Sequence, residues 1–378
     1  MVTLNHGACS PGAGKNVNIQ WEVVPPIPPD EGKARQFGIA GPTAGAHGNF
    51  VLVAGGANFE DAMPWRGGTK LYHDEIYLLE MKSDGHLSWK QCPGKLPYPM
   101  AYAACVTLPQ GVLSIGGENV EGPVSDVFLF SFEDGKINCD SLPSLPEALT
   151  SSGATVIGEM VFVQGGLTAS GASAAFYCLN LANQETGWQR LSDLPVPMSH
   201  SVVVSQSDGS EMCIYVIGGR NKTSEVHTFR SEVWKYSPSS ASWSKVSEIS
   251  TGNGHSFGLS AGTGVARGNS EIVLFGGDKG IYFNQTERLN HALEAAGDEQ
   301  AKKEIWIRKD SLLTNHPGFS KEILGFDTRT QKWNLLGEIH GDSPATTVAF
   351  CWKGWVMIPS GEIRPGIRTP NVLAIKLK

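Results

Sequence analysis

Six apolar runs along this chain each end in a pair of small residues, and five of the six pairs are Gly-Gly. The pairs are Gly55-Gly56, Gly116-Gly117, Gly165-Gly166, Gly218-Gly219, Gly276-Gly277 and Ser360-Gly361. Recurrence of one pattern at long, roughly regular intervals is typical of a repeat architecture. The repeat therefore constrains the fold more strongly than any single motif in the chain.

Each unit contains four short segments with the composition of β-strands. A segment of small and β-branched residues precedes the apolar run, and a second apolar strand follows the loop after the glycine pair. A tryptophan then begins a further strand in four units, at Trp89, Trp188, Trp243 and Trp333. Short strands bounded by Gly, Pro, Asn and Asp predict an all-β repeat. Six units of four strands predict a six-bladed β-propeller, and the pattern resembles the kelch repeat.

The two ends of the repeat predict how the ring closes. The sixth unit ends without a tryptophan strand, whereas residues 18–23 (Asn-Ile-Gln-Trp-Glu-Val) form a strand-like segment before the first unit. We expect Trp21 to lie on the outer strand of the last blade. Such closure would leave no unpaired sheet edge between the ends of the ring.

The domain organisation predicted from the sequence is simple. Residues 1–17 are polar and glycine-rich and are expected to be a flexible N-terminal segment, and residues 18–378 to be one propeller. Residues 280–321 form a long insertion in the fifth blade, and the apolar spacing over 289–296 predicts one helix there, ended by Gly297.

Composition excludes several classes of function. With 30 Lys and Arg against 37 Asp and Glu, the chain is mildly acidic, which disfavours a nucleic-acid partner. No apolar run approaches the roughly 20 residues that cross a bilayer, so no membrane partner is expected. The histidines lack metal-ligand spacing, and no metal or cofactor is predicted. The expected location is the cytoplasm, or the periplasm or exterior if a signal peptide has been removed. Four strand cysteines are expected to be buried thiols: Cys105, Cys178, Cys213 and Cys351.

Topology predicts where a site would lie. In an antiparallel blade, the loops that follow the glycine pairs all emerge on one face, around the axis, and several of them are long and polar. The sixth loop carries Glu362, Arg364 and Arg368 within seven residues. Arginine binds carboxylates bidentately, so this loop could hold an anionic substrate beside a general base. The alternative is a structural salt bridge that stiffens the loop.

Four segments resemble the N-acetylneuraminate epimerases, also called sialic acid mutarotases. They are residues 38–45 (Gly-Ile-Ala-Gly-Pro-Thr-Ala-Gly), 51–59 (Val-Leu-Val-Ala-Gly-Gly-Ala-Asn-Phe), 276–284 (Gly-Gly-Asp-Lys-Gly-Ile-Tyr-Phe-Asn) and 361–369 (Gly-Glu-Ile-Arg-Pro-Gly-Ile-Arg-Thr). The segment order is rotated relative to those enzymes, as in the cyclically permuted mutarotase branch. A ring of blades tolerates such a rotation because only its closure point changes.

The resemblance implies an isomerase that interconverts the α and β anomers of N-acetylneuraminate or a related sugar acid. It places the proton acceptor at Glu362 and a partner of the sugar carboxylate at Arg368. Further candidate substrate contacts are Arg364, Asn58, Glu118, Arg220 and His255. The proton donor is left unassigned, and a homodimer is left open. The alternative function is a non-catalytic kelch propeller that binds a protein or glycan.

Overall fold

The computed structural model describes residues 17–133 and 136–378, whose strands form six four-stranded sheets arranged around a central axis. Blade 1 comprises Thr43–His47, Phe50–Ala54, Glu75–Met81 and Leu87–Lys95. Blade 2 comprises Ala104–Leu108, Gly111–Ile115, Val127–Glu133 and Lys136–Leu142. Blade 3 comprises Gly153–Ile157, Met160–Gln164, Phe176–Asn180 and Gln189–Arg190. Blade 4 comprises Val202–Ser207, Met212–Ile217, Glu232–Ser237 and Ser242–Glu248. Blade 5 comprises Thr263–Arg267, Glu271–Phe275, Glu322–Asp327 and Lys332–Glu338. Blade 6 comprises Phe350–Trp352, Trp355–Pro359, Val372–Leu377 and Ile19–Glu22. The predicted six-bladed propeller is confirmed.

The ring closes in the sixth blade as the sequence predicts. Ile19–Glu22 pairs antiparallel with Val372–Leu377, and Trp21 lies opposite Ile375. The first strand of the described chain thus supplies the outer strand of the last blade. The segment predicted to be flexible, residues 1–17, lies outside the described residues except for its last position.

The cores lie between neighbouring blades, where apolar side chains of adjacent sheets meet. Between blades 2 and 3, for example, Val106 and Leu113 share a buried cluster with Val161 and Leu179. Each fully buried aliphatic side chain contributes about 1.5–3 kcal/mol through its removal from water. Packing between sheets therefore holds neighbouring blades in fixed positions around the axis.

A closed ring of backbone hydrogen bonds joins the six blades at the axis. In each blade the residue that leads into the innermost strand donates its N–H to the carbonyl of the same position in the preceding blade, at 2.7–3.0 Å. All six of these residues have left-handed backbone conformations, with φ between 53° and 62°. They are Gly41, Tyr102, Ser151, His200, Ala261 and Thr346, and we call them the axial ring.

The glycine pairs lie where consecutive blades approach each other most closely. In five of the six pairs the second glycine donates its N–H to a carbonyl that leads into the next blade, as Gly166 does to Met198 at 2.9 Å. The first glycine has no room for a side chain, because a Cβ on Gly165 would lie 2.3 Å from the Met198 oxygen. In the sixth pair Ser360 takes the glycine position, and its hydroxyl is hydrogen-bonded to the backbone of Ile39 at 2.8 Å.

After five of the pairs, the chain forms a short hairpin that projects over the axis. These hairpins pair Ala57–Asn58 with Leu71–Tyr72, Glu118–Asn119 with Gly122–Pro123, Leu167–Thr168 with Gly171–Ala172, Arg220–Lys222 with His227–Phe229, and Glu362–Arg364 with Ile367–Arg368. Short 3-10 turns occur at Pro64–Arg66 and Gln184–Thr186.

The insertion in the fifth blade contains two helices where the sequence predicted one. The expected helix is α1, Ile281–Ala295, and it ends just before Gly297. The second is α2, Glu299–Thr314, whose first turn is capped by the Asp298 carboxylate. The apolar residues of the missed helix are less concentrated on one face than those of α1, so it lacks the apolar periodicity by which α1 was found.

The cysteine expectation holds only in part. Cys178 and Cys213 are buried free thiols in the strands, as expected, and Cys105 is a free thiol that is only partly buried. Cys351 is disulfide-bonded, so its interpretation as a buried thiol was wrong.

The close approach at the glycine pairs predicts a specific loss of stability. Gly165→Ala places a Cβ against the Met198 oxygen, whereas the Cβ of Gly48→Ala meets nothing within 4 Å. Both glycines have φ near 60°, so both variants carry the left-handed cost of about 1–2 kcal/mol. We expect Gly165→Ala to lose about 1–3 kcal/mol more in the free energy of unfolding, measured by urea denaturation. Equal losses would contradict the packing account.

Candidate active site

A cavity of about 590 Å³ opens on the face where the glycine-pair hairpins emerge. Its walls come from loops of blades 1, 4 and 6, from three axial-ring residues and from the helical insertion. This volume lies within the range of about 300–1,000 Å³ that is usual for small-molecule sites. The loops that the sequence places on one face therefore enclose a single cavity.

The residue directly after each glycine pair has the same position in every blade. It forms an isolated antiparallel bridge with the segment that enters the innermost strand, as Glu362 does with Ala345. At this position, Arg220, Asp278 and Glu362 all line the cavity. Side chains alternate along an extended backbone, so the next residue along points the other way.

Glu362 and Arg368 face each other across the hairpin of the sixth blade. Glu362 Oε1 lies 3.1 Å from Arg368 Nη1 and accepts a hydrogen bond of 2.9 Å from the Gly366 N–H. Glu362 Oε2 has no hydrogen-bond partner among the described residues, and the side chain is 22% exposed. Arg368 is 5% exposed, and its guanidinium lies 4.9 Å from the centre of the Phe59 ring. One carboxylate oxygen is thus held in place and the other is left available.

Arg220 is a half-buried cation with no acidic partner within ion-pair distance among the described residues. Its guanidinium lies between Phe283 and Phe229, at 4.7 and 5.8 Å from the ring centres. Arg220 Nη2 lies 3.3 Å from His200 Nε2, and His200 Nδ1 lies 2.9 Å from the Ser199 hydroxyl. The aromatic rings and the imidazole therefore hold the guanidinium in one orientation without neutralising it.

Burial and neighbouring charges shift the pKa values of His200, Arg220 and Asp278. Burial and the Arg220 charge lower the pKa of His200 far below its usual value, so the imidazole is neutral and can accept from Arg220. Burial also lowers the pKa of Arg220, although Asp278 opposes this, and an arginine stays charged under all ordinary conditions. Burial raises the pKa of Asp278, with the Arg220 charge acting in the opposite direction. A buried cation without a counter-ion is costly, and a bound anion would remove that cost.

Lys70 lines the cavity from blade 1 and is held there by the second blade. Its Nζ lies 3.0 Å from Glu118 Oε1, which also accepts a hydrogen bond of 2.7 Å from the Tyr72 hydroxyl. Burial lowers the pKa of Lys70, but Tyr102 and Glu118 outweigh this effect, and the net shift is upward. Burial and Glu118 raise the pKa of Tyr72 to about 12. Glu118 thus orients Lys70 and does not itself line the cavity.

Besides Glu118, three other residues proposed from the sequence do not line the cavity. Asn58 is 1% exposed, donates to the Gly38 carbonyl at 3.0 Å and lies 2.9 Å from His73 Nε2. As the second residue after its glycine pair, it faces away from the axis. Arg364 and His255 are both exposed on the surface. These assignments as direct substrate contacts are corrected by the structure.

Tyr102, Lys70 and Asp278 line the cavity and were missed in the sequence. For Asp278, the signal was available, because it occupies the same repeat position as Glu362. Tyr102 occupies the axial-ring position of its blade, which only a residue-level alignment of the repeats would have found. Lys70 lies late in an irregular loop, where the sequence gives no indication of side-chain direction.

The helical insertion forms one wall of the cavity and is fastened to the loop of blade 1. Arg66 donates to both carboxylate oxygens of Asp310, at 2.6 and 2.8 Å, and to the Thr314 hydroxyl at 3.2 Å. Trp65 Nε1 donates to the same carboxylate at 2.8 Å. We call these contacts the clasp. They join blade 1 to blade 5 above the hairpin of blade 6.

Comparison with known proteins identifies the family. The model of the N-acetylneuraminate epimerase family matches residues 4–139 and 142–378. The chain belongs to this family. The two matched segments contain every residue that lines the cavity.

The curated relatives of this epimerase family align over part of their length. The N-acetylneuraminate epimerase of Salmonella typhimurium (strain LT2) is 28% identical over 233 residues, 61% of this chain and 56% of the relative. That of Haemophilus influenzae (strain PittEE) is 28% identical over 244 residues, 64% of this chain and 60% of the relative. The aligned part is thus under two thirds of each relative.

A solved structure described as that of YjhT shares the propeller fold. It superposes with a TM-score of 0.61 over 94% of this chain and 98% of that chain, at 16% identity. Likeness at this identity shows the fold alone. The rotated segment order within the epimerase family and the kelch character of the repeat stay predictions.

Residues 17–133 and 136–378 contain no group of three or more His, Cys, Asp or Glu side chains that is placed to hold a metal ion. Neither helix in this part of the chain is long and apolar enough to cross a membrane.

The clasp predicts a local effect of one substitution. Asp310→Asn removes the charge that binds Arg66, which is 46% exposed, so we expect the midpoint of urea denaturation to stay almost unchanged. Amide hydrogen exchange should nevertheless accelerate in residues 59–70 and in α2, because each segment loses its contact with the other. Asp193→Asn, in an exposed pair with Arg190 away from the cavity, is the matched control. Unchanged exchange in both segments of the Asp310 variant would show that the clasp does not hold the insertion.

Proposed function

We propose that this protein interconverts the anomers of N-acetylneuraminate or a related sugar acid. The observation that carries the proposal is the presence, in one cavity, of an available carboxylate oxygen on Glu362 and the half-buried charge of Arg220, which has no ion-pair partner among the described residues. The first suits a general base and the second suits the carboxylate of an acidic sugar. Membership of the epimerase family supports this function over a non-catalytic binding propeller.

The reaction needs a base at one point and an acid at another. Exchange of anomers begins when the proton leaves the anomeric hydroxyl and the ring oxygen receives a proton as the C–O bond breaks. The open-chain keto acid then rotates and closes on its other face by the reverse steps. Glu362 is the proposed base, because Oε1 is fixed by Arg368 and Gly366 while Oε2 is available.

Arg220 is the proposed anchor of the substrate carboxylate. The resemblance suggested Arg368 for that role, but Arg368 is already paired with Glu362 at 3.1 Å. Arg220 has only a neutral imidazole as its polar partner among the described side chains. A substrate carboxylate would therefore gain more at Arg220, since it would supply a missing counter-ion instead of competing with an existing one. Lys70 adds positive charge on another wall of the cavity.

Glu362→Gln tests the proposed base. The amide keeps the shape of the side chain but cannot accept the anomeric proton, so the exchange rate should fall by about 10²- to 10⁴-fold. The measurement is NMR magnetisation exchange between the α and β signals of N-acetylneuraminate. Glu159→Gln, on an exposed turn of the third blade, controls for the loss of one charge. A Glu362 variant that exchanges the anomers as fast as the wild type would remove Glu362 from the mechanism.

Arg220→Ala tests the carboxylate anchor. A hydrogen bond to a charged group is worth about 1.5–3 kcal/mol, so KM for the sugar acid should rise about 10- to 100-fold. The methyl ester of the same sugar lacks the charge and should show a much smaller change. Arg329→Ala, on an exposed turn of the fifth blade, is the matched control. Equal losses for acid and ester would show that Arg220 does not recognise the carboxylate.

A further inference from the structure

Tyr102 projects from the axial ring into the cavity that holds Glu362 and Arg368. Its backbone is fixed on both sides, because its N–H donates to Gly41 at 2.7 Å and its carbonyl accepts from Ser151 at 2.9 Å. Its φ is 59°, a left-handed conformation that an L-residue adopts at a cost. The ring of hydrogen bonds therefore holds this side chain at one place on the cavity floor.

The aromatic ring is also held by its neighbour in the first blade. A Cβ on Gly41 would lie 2.3 Å from Tyr102 Cδ1, so the phenol ring packs directly against the Gly41 backbone. On its other side, the Lys70 ammonium lies 5.2 Å from the ring centre. The position of the hydroxyl is thus set by rigid contacts and does not depend on a flexible loop.

The hydroxyl of Tyr102 differs from those of four other tyrosines in this protein. Those of Tyr72, Tyr77, Tyr98 and Tyr177 each donate to a carboxylate. That of Tyr102 has no hydrogen-bond partner among the described residues, although it lies in a polar cavity. An unpartnered hydroxyl on a rigid ring can donate to a ligand without first breaking another bond. The hydroxyls of three further tyrosines also lack a partner among the described residues, but Tyr215 and Tyr236 are buried in the core, and Tyr282 lines the cavity from helix α1 and is not fixed by the axial ring.

The charges around Tyr102 suit the transfer of its proton. Burial raises the pKa of Tyr102, the positive charges of Lys70 and Arg368 oppose the rise, and the carboxylates of Glu362 and Glu118 add to it. The phenol is accordingly protonated at neutral pH. The same two cations would stabilise the phenolate as it forms, so donation is assisted at the moment of reaction.

We propose that Tyr102 is the proton donor for ring opening, acting opposite Glu362. This inference rests on the proposed function. As Glu362 Oε2 takes the anomeric hydroxyl proton, the anomeric oxygen forms the carbonyl double bond and the bond from the anomeric carbon to the ring oxygen breaks. Its electron pair goes to the ring oxygen, which receives the Tyr102 proton. Ring closure on the opposite face returns both protons, so each residue regains its starting state.

Tyr102→Phe removes only the hydroxyl and keeps the ring that packs on Gly41. We expect kcat for N-acetylneuraminate exchange to fall by about 10²- to 10⁴-fold, with KM changed only a few-fold. Tyr98→Phe, whose hydroxyl donates to Asp126 at 2.6 Å outside the cavity, is the matched control and should keep the wild-type rate. Thermal denaturation of both variants checks that they are folded.

A fluorinated tyrosine at position 102 gives a second readout that a structural role would not affect. Fluorine makes the phenol more acidic, so the fall in kcat at high pH should move to lower pH, after subtraction of the uncatalysed rate. The same residue placed at position 98 should not move the profile. This test needs no loss of packing and applies even if Tyr102→Phe folds poorly.

The outcomes separate this inference from the function on which it rests. If the wild type does not accelerate exchange over buffer, the proposed function fails and the role of Tyr102 fails with it. If the wild type is active and Glu362→Gln is not, a Tyr102→Phe variant at the wild-type rate overturns the donor role alone. An unshifted pH profile with fluorotyrosine at position 102 would overturn it as well.

Discussion

Six backbone hydrogen bonds pass from blade to blade around the axis, and the side chains of the cavity floor take their positions from them. Five of the residues involved are not glycine, so each carries a left-handed strain of about 1–2 kcal/mol. A net gain of about 0.5–1.5 kcal/mol per hydrogen bond is of the same order. The ring is therefore maintained by the packing between blades, which brings all six positions together. Loss of one blade would leave an unpaired N–H and an unpaired carbonyl on its neighbours.

The cavity uses this rigid floor to combine groups that are far apart in the chain. Lys70, Tyr102, Arg220 and Glu362 come from blades 1, 2, 4 and 6, and the insertion of blade 5 covers one side. These four groups differ in whether they already have an ion-pair partner. Glu362 and Lys70 each have an ion-pair partner, at Arg368 and Glu118. Arg220 and Tyr102 have polar groups left over, and these are the groups proposed to meet the carboxylate and the ring oxygen of the substrate.

Some parts of this arrangement were readable in the sequence, and others were not. The repeat predicted the blades, the closing strand at Trp21 and the shared face, because each depends only on local pattern and topology. Glu362 and Arg368 were predicted together since a single hairpin carries both. The direction of a side chain was harder to predict: Asn58 was expected at the cavity, but it lies one position beyond the inward-facing residue of its hairpin. Helix α2 was missed because its apolar residues are not concentrated on one face as those of α1 are. The role of Arg220 depends on the absence of an acid within ion-pair distance among the described residues, which only the three-dimensional structure shows.

The direction of the axial hydrogen bonds has a consequence for how the site attracts an anion. Every N–H points to the preceding blade, so the six peptide dipoles follow one another in a circle around the axis instead of along it. Fields from dipoles in a closed loop largely cancel at its centre, unlike those of a helix, which add along its length. The axial ring itself therefore presents no fixed positive pole to the proposed sugar acid substrate. Among the side chains that line the cavity, the guanidinium and ammonium groups supply the positive charge, and substitutions of these few side chains could change the selectivity for charge while leaving the scaffold intact.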